Sequence, residues 1–188
     1  MLHKPEIDYE ARQAWVPNVG PVTVIKYRAE GFTKELWQKW KDDPISVQCA
    51  LNDRMTARQI YIKDEYKSFH IHMKMPMLIS NRSILTTFYH QVNESENTEI
   101  VVHSSQGNEF MVRDEKHNIG KDVIANMIIT FTKGVFYETG TELTQVLSLD
   151  VAGKIPDFIK RKIAAKFATT TLDIVNYMKE GTIPEKIF

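Results

Sequence analysis

Residues 149–178 have the sequence LDVAGKIPDFIKRKIAAKFATTTLDIVNYM, and this stretch contains the transition that decides the fold. A strand-like run over residues 143–151 breaks at Gly153 and Pro156, and from Pro156 the apolar residues follow a helical period. Proline is tolerated in the first turn of a helix, and Gly181 predicts the C-terminal end. The predicted helix has about 24 residues and a length of ~36 Å.

One face of this helix is apolar along its whole length, which requires a large surface to cover it. The stripe consists of Ile159, Ile163, Phe167, Thr170, Ile174 and Met178, with Phe158 and Val175 beside it. We therefore expect the helix to lie across a sheet.

The strands of that sheet precede the helix. Phe69, Ile71 and Met73 alternate with His70 and His72, which is the period of a strand with one apolar face. Strands are predicted over residues 22–27, 55–62, 66–75, 82–92, 99–104, 123–132 and 141–151, with a short helix after Thr33 and a long surface loop over residues 106–122. Most links are too short to hold a crossover helix, so the sheet is predicted to be mainly antiparallel.

The composition limits the class of protein to which the chain can belong. The 188 residues, 43% of them hydrophobic, fit one domain over residues 1–188, and no apolar run is long enough to span a membrane. Lys plus Arg and Asp plus Glu are balanced at 24 each, so a nucleic-acid partner is not expected. Cys49 is the single cysteine and residues 1–5 lack a secretory pattern, which together predict a reducing, cytoplasmic setting.

Two local features and the order of elements resemble a known family. Asp150, Gly153, Ile155 and Pro156 form the predicted turn into the last helix, and Asn81-Arg82 opens a strand near mid-chain. From Trp15 to Tyr177 the chain resembles the START (StAR-related lipid transfer) family. This resemblance implies an α+β helix-grip fold, in which a curved antiparallel β-sheet wraps around a long C-terminal α-helix. It also implies an internal hydrophobic tunnel for one lipid.

The departures from the family concern charged residues. Ser83 stands where the family usually has Asp after the strand-opening arginine. The spacing from Asp150 aligns residues 123–124 with the family's Val-Arg pair, whose arginine is then absent; the alternative counterpart is Val112-Arg113. Phe88 stands where sterol-binding members have a tunnel arginine, and Phe69 occupies the place of its acidic partner. The implied tunnel is therefore mostly apolar.

The resemblance and the strand alternation together predict a lipid-binding set on two strands and the helix. The set is Phe69, Ile71, Met73, Arg82, Ile84, Thr86, Phe88, His90, Phe158, Ile159, Ile163, Phe167, Thr170 and Ile174. The apolar members suit acyl chains or a sterol, and Arg82, Thr86, His90 and Thr170 are the polar groups predicted to orient the head of the lipid.

Other interpretations of the same residues stay open. Arg82 is either a structural residue that binds carbonyl oxygens or a contact to a lipid head group. His70, His72 and His90 could form a metal site, but no further ligand is spaced to complete it, so no metal and no cofactor are expected. The sequence contains none of the standard hydrolase, phosphate-loop or metalloprotease motifs, and catalysis is not predicted.

The resemblance therefore implies a protein that binds one lipid and transfers it between membranes or presents it, and we expect it to be a monomer. Phospholipid, sterol, ceramide and fatty acyl ligands all remain. Basic residues early in the last helix predict a transient peripheral membrane contact, and residues 106–122 are predicted to act as a lid. The alternatives are a ligand-gated protein-interaction or sensor module and a helix-grip enzyme that acts on an apolar substrate.

Overall fold

The structure is a computed structural model, and it describes residues 9–17, 19–63, 66–76 and 78–180. Its strands are β1 (Tyr9–Val16), β2 (Gly20–Glu30), β3 (Met55–Lys63), β4 (Tyr66–Met73), β5 (Arg82–Asn93), β6 (Thr98–Ser104), β7 (Val123–Tyr137) and β8 (Gly140–Asp150). Its helices are α1 (Lys34–Asp42), α2 (Pro44–Ala50), α3 (Glu109–Asp114), α4 (Lys116–Ile119) and α5 (Asp157–Lys179), with a 3₁₀ turn at Glu94–Glu96.

The eight strands form one curved sheet in the order β1-β2-β8-β7-β6-β5-β4-β3. Neighbouring strands in this order pair antiparallel, as the short links predict. One parallel pairing joins the first residues of β5 to the first residues of β7, where Arg82, Ser83 and Ile84 face residues 123–125. The short strand β6 stops before this point, so β5 and β7 come together beside its end.

One face of the sheet, called the inner face below, packs against α1, α2 and α5. Ile25, Ile71, Ile84 and Leu143 of four strands are each about 1% exposed on this face. Helix α5 contacts β2, α1 and α2, and its residues Ile174, Val175 and Met178 are buried in the same core. The predicted helix-grip fold is confirmed.

The opposite face, called the outer face, carries the segment that was predicted to be a long loop. Residues 106–122 form α3 and α4, whose Met111 and Ile119 pack against Leu85 of β5. The prediction of a lid is not supported, because the segment covers the face that points away from α5. The sequence analysis also missed β1 and α2.

Gly134 of β7 allows a close approach between the sheet and α1. A Cβ atom at this position would lie 3.2 Å from the Cε3 and Cζ3 atoms of Trp37 and 3.3 Å from Cζ of Phe136. Trp37 is fully buried, and its indole N–H donates to Glu99 Oε2 over 2.9 Å, so the ring has little freedom to move away.

We expect Gly134→Ala to lower the free energy of unfolding by about 1–3 kcal/mol, because the extra methyl group overpacks this contact. Urea denaturation of the variant measures the loss. A double variant with Trp37→Phe, whose smaller ring leaves room, should lose less than the sum of the two single variants. Strictly additive losses would show that the contact with Trp37 is not the cause.

Candidate functional site

A cleft of about 600 Å³ lies between the start of α5, the end of β4 and the turn that precedes β3. It is lined by Leu51, Asn52, Asp53, Arg54, Met73, Lys74, Met75, Pro76, Phe158, Ile159 and Ile163. Four of these residues, Met73, Phe158, Ile159 and Ile163, were predicted as site residues. Phe158 is 58% exposed, so the cleft opens to solvent through an apolar rim.

Beyond the cleft, β4 and β5 present a continuous apolar wall on the inner face. Phe69 pairs with Thr86 and Ile71 pairs with Ile84 in the strand register, which places the predicted residues side by side. The ring of Phe88 meets that of Phe69 edge to face, with centroids 5.1 Å apart. Phe69 and Phe88 occupy the two positions that the family resemblance aligns with a Glu-Arg pair, so the wall is uncharged there.

A second, much smaller pocket of about 20 Å³ lies deeper, between the inner face and the C-terminal half of α5. It is lined by Trp40, Gln48, His103, Met127, Thr130, Thr132, Gln145, Leu147, Thr170, Thr171 and Ile174. Of the predicted site residues, Thr170 and Ile174 lie here. Thr86 is adjacent, because its hydroxyl donates to the Met127 sulfur over 3.8 Å.

The walls of this pocket are more polar than expected for the centre of a core. Trp40, His103, Thr130 and Thr132 are each at most 4% exposed. Among the described side chains and backbone, no hydrogen-bond partner lies within reach of Trp40 Nε1, either nitrogen of His103, or the hydroxyls of the two threonines. Burial lowers the pKa of His103 to about 3, so its imidazole is neutral.

Sequence reasoning missed these polar residues, although a signal was present. His103 pairs with Phe88 on one side and with Thr130 on the other, and Thr132 pairs with Val101. Their parity therefore puts them on the apolar face of their strands. A polar residue at a core-facing parity in two neighbouring strands would have indicated a buried polar site.

The side chain of Arg82 is directed to backbone, not to either cavity. Its Nε donates to the Val151 carbonyl over 2.6 Å, and Nη2 donates to the Ala152 carbonyl over 3.0 Å. Nη1 donates to the carbonyl oxygens of Ser80 and Asn81. This geometry corresponds to the structural alternative for Arg82, since the guanidinium ties the start of β5 to the turn before α5.

His90 lies near a different end of the inner face. Its Nε2 is 2.9 Å from Glu99 Oε2, and the same carboxylate accepts the indole N–H of Trp37 and the amide of Gln38. Glu99 is 1% exposed, with the amine of Lys34 at 3.9 Å. His90 thus belongs to the hydrogen-bonded group around the Glu99 carboxylate, next to α1, and does not line the deep pocket.

The three histidines considered for a metal site do not come together. His70 and His72 are on the outer face, whereas His90 is on the inner face. Among the described residues, no group of three His, Cys, Asp or Glu side chains has a geometry that could hold a metal ion.

The outer face contains an arrangement that the sequence did not indicate. Ser83 Oγ lies 2.9 Å from His70 Nε2, and His70 Nδ1 lies 3.3 Å from Glu115 Oε2, which is the order of a nucleophile, base and acid. Ser83 is fully buried, and its hydroxyl also donates to Asp122 over 2.8 Å. A substrate has no access to such a hydroxyl, and the network instead fixes α3 and α4 to the sheet.

Some predicted residues have side chains that lie outside what the structure describes. They are Phe167 of the predicted lipid-binding set and the basic residues at positions 160–162 and 166, on which the predicted membrane contact was based. Among the described residues, no helix has the length and hydropathy needed to cross a membrane.

No protein-family model matches the chain, and no curated protein matches it in sequence. Solved structures do match. Human STARD10 superimposes with a TM-score of 0.70 at 12% identity over 95% of this chain and 71% of its own. The chain has the START helix-grip fold. Human StAR-related lipid transfer protein 5 gives a TM-score of 0.68 at 14% identity over 93% and 82% of the two chains. The STAR-related lipid transfer protein of Xanthomonas axonopodis gives 0.67 at 14% identity over 94% and 96%.

Proposed function

We propose that this START-fold chain is a single-domain protein that binds one lipid between the inner face and α5 and carries it between membranes. The observation that carries the proposal is the cleft of about 600 Å³, which opens between the start of α5 and the end of β4 in a fold shared with lipid transfer proteins. Apolar concave sites of this size bind small molecules by burying apolar surface, at roughly 25 cal/mol per Å².

The proposed path runs from this cleft to the deep pocket. On α5, Ile163 lines the cleft and Thr170 lines the deep pocket, so the two sites are about 10 Å apart along the helix axis. Phe69, Ile71 and Ile84 of the apolar wall provide contacts between them. We assign Arg82 to the turn before α5 and omit it from the ligand contacts.

The apolar rim supports transient contact with a membrane. Phe158 is 58% exposed at the cleft, and Leu78, which follows the cleft residue Pro76 by two positions, is fully exposed. Basic Arg54 and Lys74 lie on the same rim and would favour an anionic surface. A monomeric cytoplasmic carrier without a nucleic-acid partner fits the balanced charge and the free, buried thiol of Cys49.

The proposal is tested by offering the purified chain a panel of lipids. Donor vesicles of phosphatidylcholine that contain cholesterol, ceramide and palmitic acid are incubated with the protein, which is then separated and examined by native mass spectrometry. One lipid per chain, delivered to acceptor vesicles, supports the carrier. A bound lipid that is not delivered favours the interaction module, and chemical conversion of the lipid favours an enzyme.

Filling the cleft should abolish loading. We expect Ile163→Trp to reduce the bound fraction at least tenfold, because the half-buried Ile163 faces open space that an indole ring would occupy. Lipid extraction followed by mass spectrometry measures this fraction.

The matched control is Ile62→Trp on β3, where the side chain is 63% exposed and the residue pairs with Lys67, at the opposite end of the β3–β4 pair from the cleft residue Met73. It should load as the parent does. Equal loading of both variants would show that the ligand does not use the cleft.

A further inference from the structure

The deep pocket has a chemistry that restricts what it can hold. It offers the indole N–H of Trp40, one N–H and one acceptor nitrogen on the neutral imidazole of His103, and the hydroxyls of Thr130 and Thr132. All four side chains are at least nine-tenths buried. Buried polar groups without partners are costly, so a cluster of them on one cavity indicates a ligand group that satisfies them.

The volume of the pocket limits that group to about one polar atom. A cavity needs about 10–15 Å³ to hold one water molecule, and this pocket has about 20 Å³. A hydroxyl fits this space. A phosphate or phosphocholine group does not.

The absence of charge among the described lining residues limits which head groups the pocket can bind. Among the residues that the structure describes, none that lines the pocket is a Lys, Arg, Asp or Glu. The imidazole of His103 packs flat against the Phe88 ring, with centroids 4.2 Å apart, which adds to its desolvation. An anionic head group would therefore lose its hydration without gaining a cation, which strongly disfavours it.

We propose that the deep pocket binds the hydroxyl group of a neutral lipid and thereby selects a single uncharged polar end against carboxylate and phosphate head groups. This inference rests on the proposed function and narrows its ligand class. A hydroxyl both donates and accepts, so it can pair at once with a donor and with an acceptor in the pocket. The apolar remainder of the lipid extends along β4, β5 and α5 toward the cleft.

The test is a competition within one vesicle. Phosphatidylcholine vesicles with equal amounts of 1-hexadecanol and hexadecanoate are incubated with the protein at pH 8.5, where the carboxylic acid is ionised. The protein is then separated and its lipid is extracted and quantified. We expect hexadecanol to be enriched at least tenfold over hexadecanoate, with little phosphatidylcholine bound.

Two variants connect this selectivity with the pocket. Thr132→Val and Thr130→Val keep the shape of the side chain but remove one hydroxyl each. We expect each to reduce the enrichment about fivefold, the effect of one hydrogen bond. Thr23→Val is the matched control, since Thr23 has inner-face parity on β2 but is not among the residues that line the pocket. It should keep the parental enrichment.

The outcomes separate the two proposals. Lipid that binds without enrichment, preferential binding of phosphatidylcholine, or enrichment unchanged in both valine variants overturns the hydroxyl pocket and leaves the carrier standing. Unchanged enrichment would mean that the polar groups hold only structural water. Failure to load any of the three lipids overturns the hydroxyl pocket, and failure to load any lipid of the panel with cholesterol and ceramide overturns the carrier as well.

Discussion

Replacement of Arg82 by alanine should lower the free energy of unfolding by roughly 3–5 kcal/mol, because it leaves several buried carbonyl oxygens without a donor. Arg82 is 2% exposed, and its guanidinium donates to backbone carbonyls of two chain segments. One segment contains Ser80, and the other contains Val151 and Ala152. These two segments are far apart in sequence. The arginine therefore fixes the position from which α5 starts.

Chemical denaturation measures this loss, and Arg82→Lys should recover about half of it, since one ammonium group cannot reproduce the planar fork of donors. Arg28→Ala is the control. Arg28 makes one exposed hydrogen bond, to Thr139, and lies over the ring of Tyr137, so its loss should change stability by less than about 1 kcal/mol.

Lipid loading by the same variants decides between the two roles open for Arg82. If the residue is structural, Arg82→Lys should load lipid at temperatures where it is folded. Parental stability combined with lost loading would contradict the assignment to the turn and place Arg82 at the head group.

The parts of the fold that were predicted correctly are those in which local pattern and tertiary packing agree. The alternation of Phe69, Ile71 and Met73 fixed the inner face of β4, and the period change at Pro156 located α5, which begins at Asp157. Strand β4 buries Phe69, Ile71 and Met73, and the C-terminal part of α5 buries Ile174, Val175 and Met178, so both sequences carry a strong periodic signal.

The missed elements bury too little to leave such a signal. Strand β1 is an edge strand of which residues 10–16 are exposed, and its sequence YEARQAWV has only short alternation. Helices α3 and α4 are short and anchor mainly through Met111 and Ile119. Their existence depends on contacts with Leu85, a residue distant in sequence, and local propensity does not contain that information.

The deep pocket required a different kind of information. Each of its polar residues is unremarkable alone, since threonine is a common strand residue and a single histidine has many explanations. The pocket exists because the register sets His103 beside Thr130, and because α1 brings Trp40 to the same place. Register between strands is a tertiary property, so residue types alone could not assemble the site.

The buried imidazole of His103 makes stability depend on pH in a predictable direction. Its pKa is about 3 in the folded chain, because burial disfavours the charged form, and about 6.5 in an unfolded chain. Between these values the unfolded chain binds a proton that the folded chain does not. The stabilisation is therefore complete above about pH 6.5 and is lost progressively as the pH falls toward 3.

From pH 7.5 to pH 5 this effect should remove roughly 2 kcal/mol from the free energy of unfolding. His103→Gln keeps a polar side chain of similar size but cannot titrate. Over the same pH range, its free energy of unfolding should therefore fall by about 2 kcal/mol less than that of the parent. Urea denaturation at the two pH values gives the comparison directly.

His117→Gln is the control, because His117 is exposed on α4, and the variant should retain the parental pH dependence. His70 on the outer face also has a pKa that burial lowers, and it contributes equally to the parent and to both variants, so it cancels from the difference. An identical pH dependence in the parent and in His103→Gln would mean that His103 takes up a proton in the folded chain as readily as in the unfolded chain. The deep pocket could then accept an anion, and the selection of a neutral hydroxyl would lose its electrostatic basis.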